Sequence, residues 1–270
     1  MKLSKQIYSC FLRLRHGGGR WFFCAVYNRL FPPKVLLYEY VATAFDGAYG
    51  LEIGGPSRIF SPSKILPVYQ QAARIDNVNF ACQTEWEQDL HEGGKFHFSS
   101  KTPPGIQMIR DAKSLTGIAD ETYDFILSSH CLEHIADPLS ALQEWRRVVK
   151  LDGYLLIIVP NSARTFDHKR PVTKLQHLLD DQREGIGEND LTHLTEVLTL
   201  HDLRMDPHAG TAIQFRERAI RNAENRCLHH HVFDMNLLRE VLVTAGWELV
   251  ATETIRPIHL AALARKKRRS

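Results

Sequence analysis

From about Tyr49 onward, short apolar runs alternate with longer amphipathic stretches in a strand, loop, helix rhythm, the signature of a parallel sheet covered on both faces. The runs predict strands at Gly50 to Ile53, near Ala73 to Ile75, at Ile106 to Ile109, at Tyr123 to Ser129 and at Tyr154 to Val159, with helices filling most gaps. One helix is marked by its own ends. Asp137 can cap, Pro138 suits the first helical position, and Leu139, Leu142, Trp145, Val148 and Val149 form an apolar stripe that stops at Asp152-Gly153. Later, Met235 to Ala245 reads as a helix closed by Gly246, and Trp247 to Thr254 with Ile258 to Ala264 as two strands suited to a final antiparallel hairpin.

Residues 1 to about 45 also read as helical. Tyr8, Phe11, Leu12 and Leu14, then Trp21, Phe22, Ala25, Val26 and Leu30, recur at spacings near three and four, in two pieces separated by Gly17-Gly18-Gly19. Two readings stand: a helical cap on the core or over a ligand cleft, and a basic amphipathic anchor in peripheral contact with a membrane near a lipid-linked acceptor. The segment never reaches about 18 uninterrupted apolar residues, so neither a spanning helix nor a signal peptide is expected. The stretch from Asn161 to Leu228 exceeds what a minimal fold of this kind needs. The expected organisation is therefore a cap over 1–45 and one α/β domain over 46–270, with an acceptor-binding insertion at about 161–230.

Composition changes this picture little. At 270 residues and 44% hydrophobic content the chain can bury a full core, and its net charge of +3 is modest, with basic residues gathered at both ends. Five widely spaced cysteines without a C-x-x-C pair indicate neither a disulfide framework nor a zinc knuckle and fit a reducing cytoplasm, at most peripheral to the inner face of a membrane.

The candidate chemistry starts at Gly50-Leu51-Glu52-Ile53-Gly54-Gly55-Pro56-Ser57, a strand running into a glycine turn that lets a ligand approach the backbone. A dinucleotide fingerprint would place a third glycine there, whereas this turn carries a carboxylate, Glu52, two residues before its first glycine. A negative charge at that point repels a pyrophosphate and suits a cationic ligand. Here the chain resembles the class I S-adenosylmethionine-dependent methyltransferases, of the type 11 kind, from Gly50 to Asn161. The resemblance implies a Rossmann-like, doubly wound, seven-stranded mixed sheet with an antiparallel final strand, and S-adenosylmethionine as cofactor. The Gly-Gly-Pro-Ser turn departs from the commonest Gly-x-Gly form.

The same resemblance implies roles. Glu52 accepts from the methionine ammonium, directly or through water, and the amides around Gly54, Gly55 and Ser57 lie near the carboxylate and ribose. Asp76 holds the ribose hydroxyls, Asp111 reads the adenine amine, the Ala112 amide faces the ring, and Ser129 and His130 follow strand 4 at the methionyl portion. His134, in Leu132-Glu133-His134, is expected to be structural, and His130 to face the cleft.

Methyl transfer from a sulfonium is an in-line displacement that needs a base only when the acceptor is a hydroxyl or a protonated amine. Histidine, with a pKa near ~6.5, is the natural choice, and the chain holds 14. His130, His168 and His230 are the catalytic candidates. His168 sits in Phe166-Asp167-His168-Lys169-Arg170, expected at the crevice mouth, and of His229, His230 and His231 at least one is expected to reach the cleft. Asp180, Asp181, His193, His201, Asp202, Asp206 and His208 are potential ligands, but no spacing matches a dependable motif and no metal is expected. Arg164, His168, Lys169, Arg170 and Arg226 suit an acidic acceptor such as a nucleotide sugar or glycan precursor. O-methylation of a small molecule or glycan is the leading expectation. RNA methylation stays open, DNA is not expected because no Asn/Asp-Pro-Pro-Tyr tetrapeptide follows strand 4, and a non-catalytic cofactor-binding partner protein or a dehydrogenase are the rivals from other classes.

Overall fold

The computed structural model describes residues 35–62, 64–99 and 102–268. Most of the expected N-terminal cap, residues 1–34, lies outside the described residues. Its end forms helix α1, Leu36–Ala44, which buries Leu37 and Val41. Phe45, just beyond, stacks on Phe125 with ring centroids 4.1 Å apart.

The core is one eight-stranded sheet made of β1 (Tyr49–Ile53), β2 (Arg74–Asn79), β3 (Lys95–Phe96), β4 (Gly105–Ile109), β5 (Tyr123–Ser129), β6 (Val149–Pro160), β7 (Glu248–Ile255) and β8 (His259–Arg265), in the order β3-β4-β2-β1-β5-β6-β8-β7. Strands β4, β2, β1, β5 and β6 run parallel, and the β7–β8 hairpin adds antiparallel through β8 on β6. The expected mixed, doubly wound sheet is present with one strand more than the seven expected, the two-residue antiparallel edge β3. Side-chain alternation splits its faces. Ile126, Leu155, Ile157 and Val159 pack with helices α2 (Pro138–Val148) and α7 (Met235–Thr244), whereas Phe125, Leu127, Leu156 and Ile158 pack with Phe45, Phe60 and Tyr69. Gly50 lies under the Phe125 ring, where a Cβ would come within 2.2 Å of it.

Helices fill fewer gaps than expected. Among its described residues the β1–β2 connection holds the short 3₁₀ turns Arg58–Phe60 and Val68–Gln70 and no α-helix, because Pro56, Pro62 and Pro67 remove donors that a helix would need. Helix α2 has the expected Asp137 cap, which accepts from the Ser140 amide at 3.0 Å. It ends at Val148, ahead of Asp152-Gly153, and those two residues belong instead to β6, where a Cβ at Gly153 would lie 2.6 Å from the Asp124 carbonyl.

The insertion contains α3 (Leu175–Glu184), α4 (Leu194–Leu200), α5 (Ala212–Ile220) and the single turn α6 (Asn222–Asn225). It has a small apolar cluster of its own around Val197, Phe215 and Leu228. Arg170 ties it together from inside: the guanidinium donates to Asp167, to Glu196 and to the carbonyls of His229 and His230.

Candidate active site

A cavity of about 370 Å³ opens at the C-terminal ends of β1, β2 and β5. In a doubly wound sheet this is where ligands bind, because β1 is flanked on one side by β2 and on the other by β5 and the chain crosses over between them. Ile53, Val78, Ala112 and Ile135 give it an apolar wall, and Ser57, Asn79, Ser129, His130, Arg226 and His259 bring polar groups.

The glycine turn is built from beneath. Gly54 has φ +79°, a left-handed conformation suited to glycine. At Gly55 a Cβ would lie 2.3 Å from the Glu52 carboxyl carbon and 2.7 Å from Asn77 Oδ1. Glu52 is fully buried under the loop, where it accepts from the Ser57 amide at 2.9 Å and from the Tyr69 hydroxyl at 2.6 Å. Burial pushes its carboxyl up to about 7. Glu52 therefore does not line the cavity, and its expected contact with a ligand ammonium gives way to bracing of the turn. The turn amides are also committed inward: Gly54 donates to Val78, Gly55 to Asn77, and Ser57 to Glu52 and Tyr69. Gly54, Pro56 and Ser57 still form cavity wall.

Asp76 needs a correction. It sits mid-strand rather than at the tip of β2, beside Leu51 in register, and is almost wholly buried. Its carboxylate accepts from Tyr49 and Tyr123 hydroxyls, from the Ile106 amide at 2.8 Å and from Arg74, so the ribose role does not fit it. The strand tip carries Asn79, whose Oδ1 accepts from Asn77 and Gln107 and whose Nδ2 donates to the Gly55 carbonyl. Asp111 is set back from the cavity as well. Its carboxylate takes Arg226 at 2.7 Å and the Lys113 amide at 2.8 Å; although burial opposes it, these bonds hold its carboxyl below the usual range. Arg226, rather than Asp111, reaches the cavity, with its guanidinium 4.8 Å from the Phe80 ring centre. Ala112 lines the wall as expected, and its carbonyl accepts the Trp145 indole N–H at 2.9 Å.

The strand β5 end delivers Ser129 and His130 into the cavity. His130 adopts φ +52°, uncommon for a non-glycine residue. Its Nε2 lies 2.8 Å from His259 Nδ1, and its Nδ1 lies 3.6 Å from Glu133 Oε1. Glu133 is fully buried with neither carboxylate oxygen hydrogen-bonded. Burial opposes its charge, yet His130, His134 and His229 outweigh that and keep its carboxyl below the ordinary range. Burial and the His130 ring hold His259 down at about 4, and burial with His229 holds His134 near 3, so both are neutral at pH 7. His134, expected to be structural, both bonds to the Leu228 carbonyl and lines the cavity.

The other two catalytic candidates are not in the cavity. His168 packs its Nδ1 on the Thr165 carbonyl at 3.1 Å and lies outside the cavity wall. His230 is buried, bonded to Asn222 at 3.0 Å and near Glu188, and His229 turns to Asp167 at 2.6 Å. None of His229, His230 and His231 reaches the main cavity, because their backbone continues the buried contact with Glu133. Asn79, His259 and the wall residues Phe80 and Trp86 were missed. His259 follows from the hairpin register, which sets it opposite Pro160 at the end of β6, and Asn79 from letting β2 run on to its true tip.

Residues 85–157 match the family described as a methyltransferase domain. Among solved structures the chain is similar to an S-adenosylmethionine-dependent methyltransferase from Mesorhizobium loti, with 9% identity over 85% of this chain and 96% of that one and a TM-score of 0.50. It is also similar to methyltransferases of this kind from Aquifex aeolicus (14% identity, 88% and 92% covered, TM-score 0.45) and Methanosarcina mazei (14%, 86% and 99%, 0.47). No curated protein matches the chain. The Mesorhizobium likeness speaks to the fold, and the family match spans the segment that carries Ala112, Ser129, His130 and His134 into the cavity wall. Residues 85–157 thus match a methyltransferase domain, and the sheet around them has the fold of S-adenosylmethionine-dependent methyltransferases.

Proposed function

We propose that the enzyme methylates a hydroxyl group of a small molecule or glycan, with the His130–His259 pair as the proton acceptor. The observation that carries this is the 2.8 Å contact between the two rings in the cavity wall, with the Glu133 carboxylate 3.6 Å from the remaining nitrogen of His130.

The residues present fit the cofactor. A volume of about 370 Å³ lies in the range of small-molecule sites, roughly 300–1,000 Å³. Val78, Ala112 and Ile135 offer the adenine a dry wall. Asn79 keeps one amide hydrogen for a ribose hydroxyl. Arg58, exposed at the cavity, supplies a cation for the amino acid carboxylate, a task the inward-bonded turn amides no longer perform. A cationic donor is tolerated because His134 and His259 are neutral and the charges of Arg110 and Arg226 are paired with Glu92 and Asp111.

Bound there, S-adenosylmethionine supplies an electrophilic methyl on a sulfonium. The acceptor hydroxyl must lose its proton as its oxygen gains the methyl, and the histidine pair takes that proton while buried Glu133 offsets the charge. The apolar wall keeps water from competing. Arg226, contributed by the insertion, reaches the cavity with its charge already paired to Asp111, so it offers the acceptor a hydrogen-bond donor rather than a free cation, which supports an acceptor-binding role for residues 161–230.

The test is a labelled-methyl screen over sugar nucleotides, acidic metabolites, glycan fragments and tRNA. Label is expected in a hydroxylated small molecule or glycan; label confined to tRNA would overturn the acceptor class. His130→Gln is expected to lower turnover by about 10²-fold or more while leaving S-adenosylhomocysteine affinity, read by calorimetry, unchanged. Wild-type turnover in that variant would remove His130 from the mechanism.

A further inference from the structure

We propose that His177, Asp181, His193 and His231 form a binding site for one divalent transition-metal ion of the zinc type, which pins the insertion to the catalytic core. The four residues come from three separate parts of the chain. His177 and Asp181 stand one turn apart on α3, His193 directly precedes α4, and His231 lies on the segment that returns from the insertion to the sheet.

Their donor atoms converge. One ring nitrogen from each histidine lies within 4.8 Å of the others. His177 Nε2 is 2.8 Å from His193 Nε2 and 3.3 Å from Asp181 Oδ2, and the His231 ring stands 5.8 Å, centroid to centroid, from those of both His177 and His193. A tetrahedral zinc with bonds of about 2.0–2.2 Å spaces its ligands roughly 3.3–3.6 Å apart, so the group is already close to that size. Three imidazoles and one carboxylate are also a donor set that zinc accepts.

Two atoms point independently to a ligand. Asp181 is buried, and its Oδ2, the oxygen that faces the histidines, has no hydrogen-bond partner. His231 is buried with Nδ1 also unpartnered, while its Nε2 lies 3.0 Å from the Ala136 carbonyl. A ring nitrogen bonded to a backbone carbonyl, with the other left as a bare lone pair, is the arrangement that metal-bound histidines use. Asp137 and Asp190 add negative charge nearby, and half-exposed His177 gives the ion an entrance. Because the peptide around His231 also contacts the Glu133 backbone, an ion here would fix the insertion against the strand that presents His130.

The test uses the full chain loaded with Zn²⁺ and dialysed, with metal content measured by mass spectrometry and Co²⁺ titrated as a spectroscopic probe. One equivalent of zinc per chain and the intense visible bands of four-coordinate cobalt are expected. Zinc should raise the melting temperature of the wild type and leave that of His177→Ala unchanged. His177→Ala and Asp181→Asn should each weaken zinc binding by at least about 100-fold. Retained S-adenosylhomocysteine binding in the same samples shows that the variants are folded, and His177, at the edge of the cluster, is the substitution that disturbs packing least. Failure of the wild type to hold stoichiometric zinc would overturn the proposal. So would variants that bind zinc like the wild type, which would move the ion to another group such as Glu133, His134 and His229.

Discussion

Glu52 concentrates the difference between reading a motif and reading its packing. A carboxylate two residues before a glycine turn marks the site in the sequence, and the turn does form one wall of the cavity. The carboxylate itself lies beneath, and the second glycine exists because a Cβ there would collide with it. Its burial has a consequence for stability. The carboxyl rises from an ordinary value of 4.5 to about 7 on folding, so between those limits the folded chain binds more protons than the unfolded one. Stability contributed by this group is therefore full below pH 4.5 and falls as pH rises towards 7, by about 3 kcal/mol in total. Glu52→Gln keeps an acceptor for the Ser57 amide and a partner for the Tyr69 hydroxyl without the ionisation. It should gain stability relative to the wild type at pH 8 and not at pH 4.5, as read by urea denaturation; a pH-independent difference would place the titrating group elsewhere. Asp76 taught the opposite lesson. Asp76-Asn77 reads as a turn pair, and only the two tyrosine hydroxyls, Arg74 and the Ile106 amide make an aspartate tolerable inside a strand.

At the scale of elements, the apolar runs located the strands well, with β5 matching from Tyr123 to Ser129 and both hairpin strands displaced by a residue. Strand β2 was cut short because its polar Asn77 and Asn79 break the apolar run; they are paid for across the sheet by Gln107, which no local pattern reveals. The insertion was visible only as surplus length. Its histidines could be counted, but whether they met solvent, cavity or one another depended on tertiary placement. The element that closes it is the buried pairing of Asp167 with Arg170 and His229. Burial opposes charge on Asp167, yet His229 and Arg170 hold its carboxyl far below the usual range, and Asp167 in turn holds the His229 imidazolium above its ordinary value despite burial. The histidine's contribution is thus full below its ordinary pKa and lost as pH rises through the raised one, and the carboxylate's is present above pH 3.8 and lost only in strong acid. Asp167→Asn, which leaves the His229 imidazolium without its carboxylate and Arg170 with Glu196 alone, should destabilise the chain by about 3 kcal/mol at pH 6. Hydrogen exchange should show the loss concentrated in α3 to α6 rather than in β5 and β6, and an equal loss throughout would mean that the insertion has no unfolding unit of its own.

For the whole molecule, the decisive feature is the position of the cavity between β1 and its two neighbours, bounded by the sheet on one side and by Arg226 of the insertion on the other. A ligand filling it contacts the ends of several strands at once, so its binding energy must appear as stability of the fold as a whole. At a concentration 100-fold above its dissociation constant, a ligand specific for the folded state adds about 2.7 kcal/mol. At about 2–4 °C per kcal/mol for a domain of this size, that corresponds to a rise in melting temperature of roughly 5–11 °C. S-adenosylhomocysteine should produce that shift, and replacing Arg58 by Ala should reduce it by removing the cation proposed for the amino acid carboxylate. A nicotinamide dinucleotide should produce none. Its pyrophosphate needs unpaired backbone donors at the glycine turn, and the amides of Gly54, Gly55 and Ser57 all donate inward. A shift with the dinucleotide and none with S-adenosylhomocysteine, in a differential scanning experiment on the same preparation, would mean that the turn opens to release those amides and that the cavity serves a different cofactor.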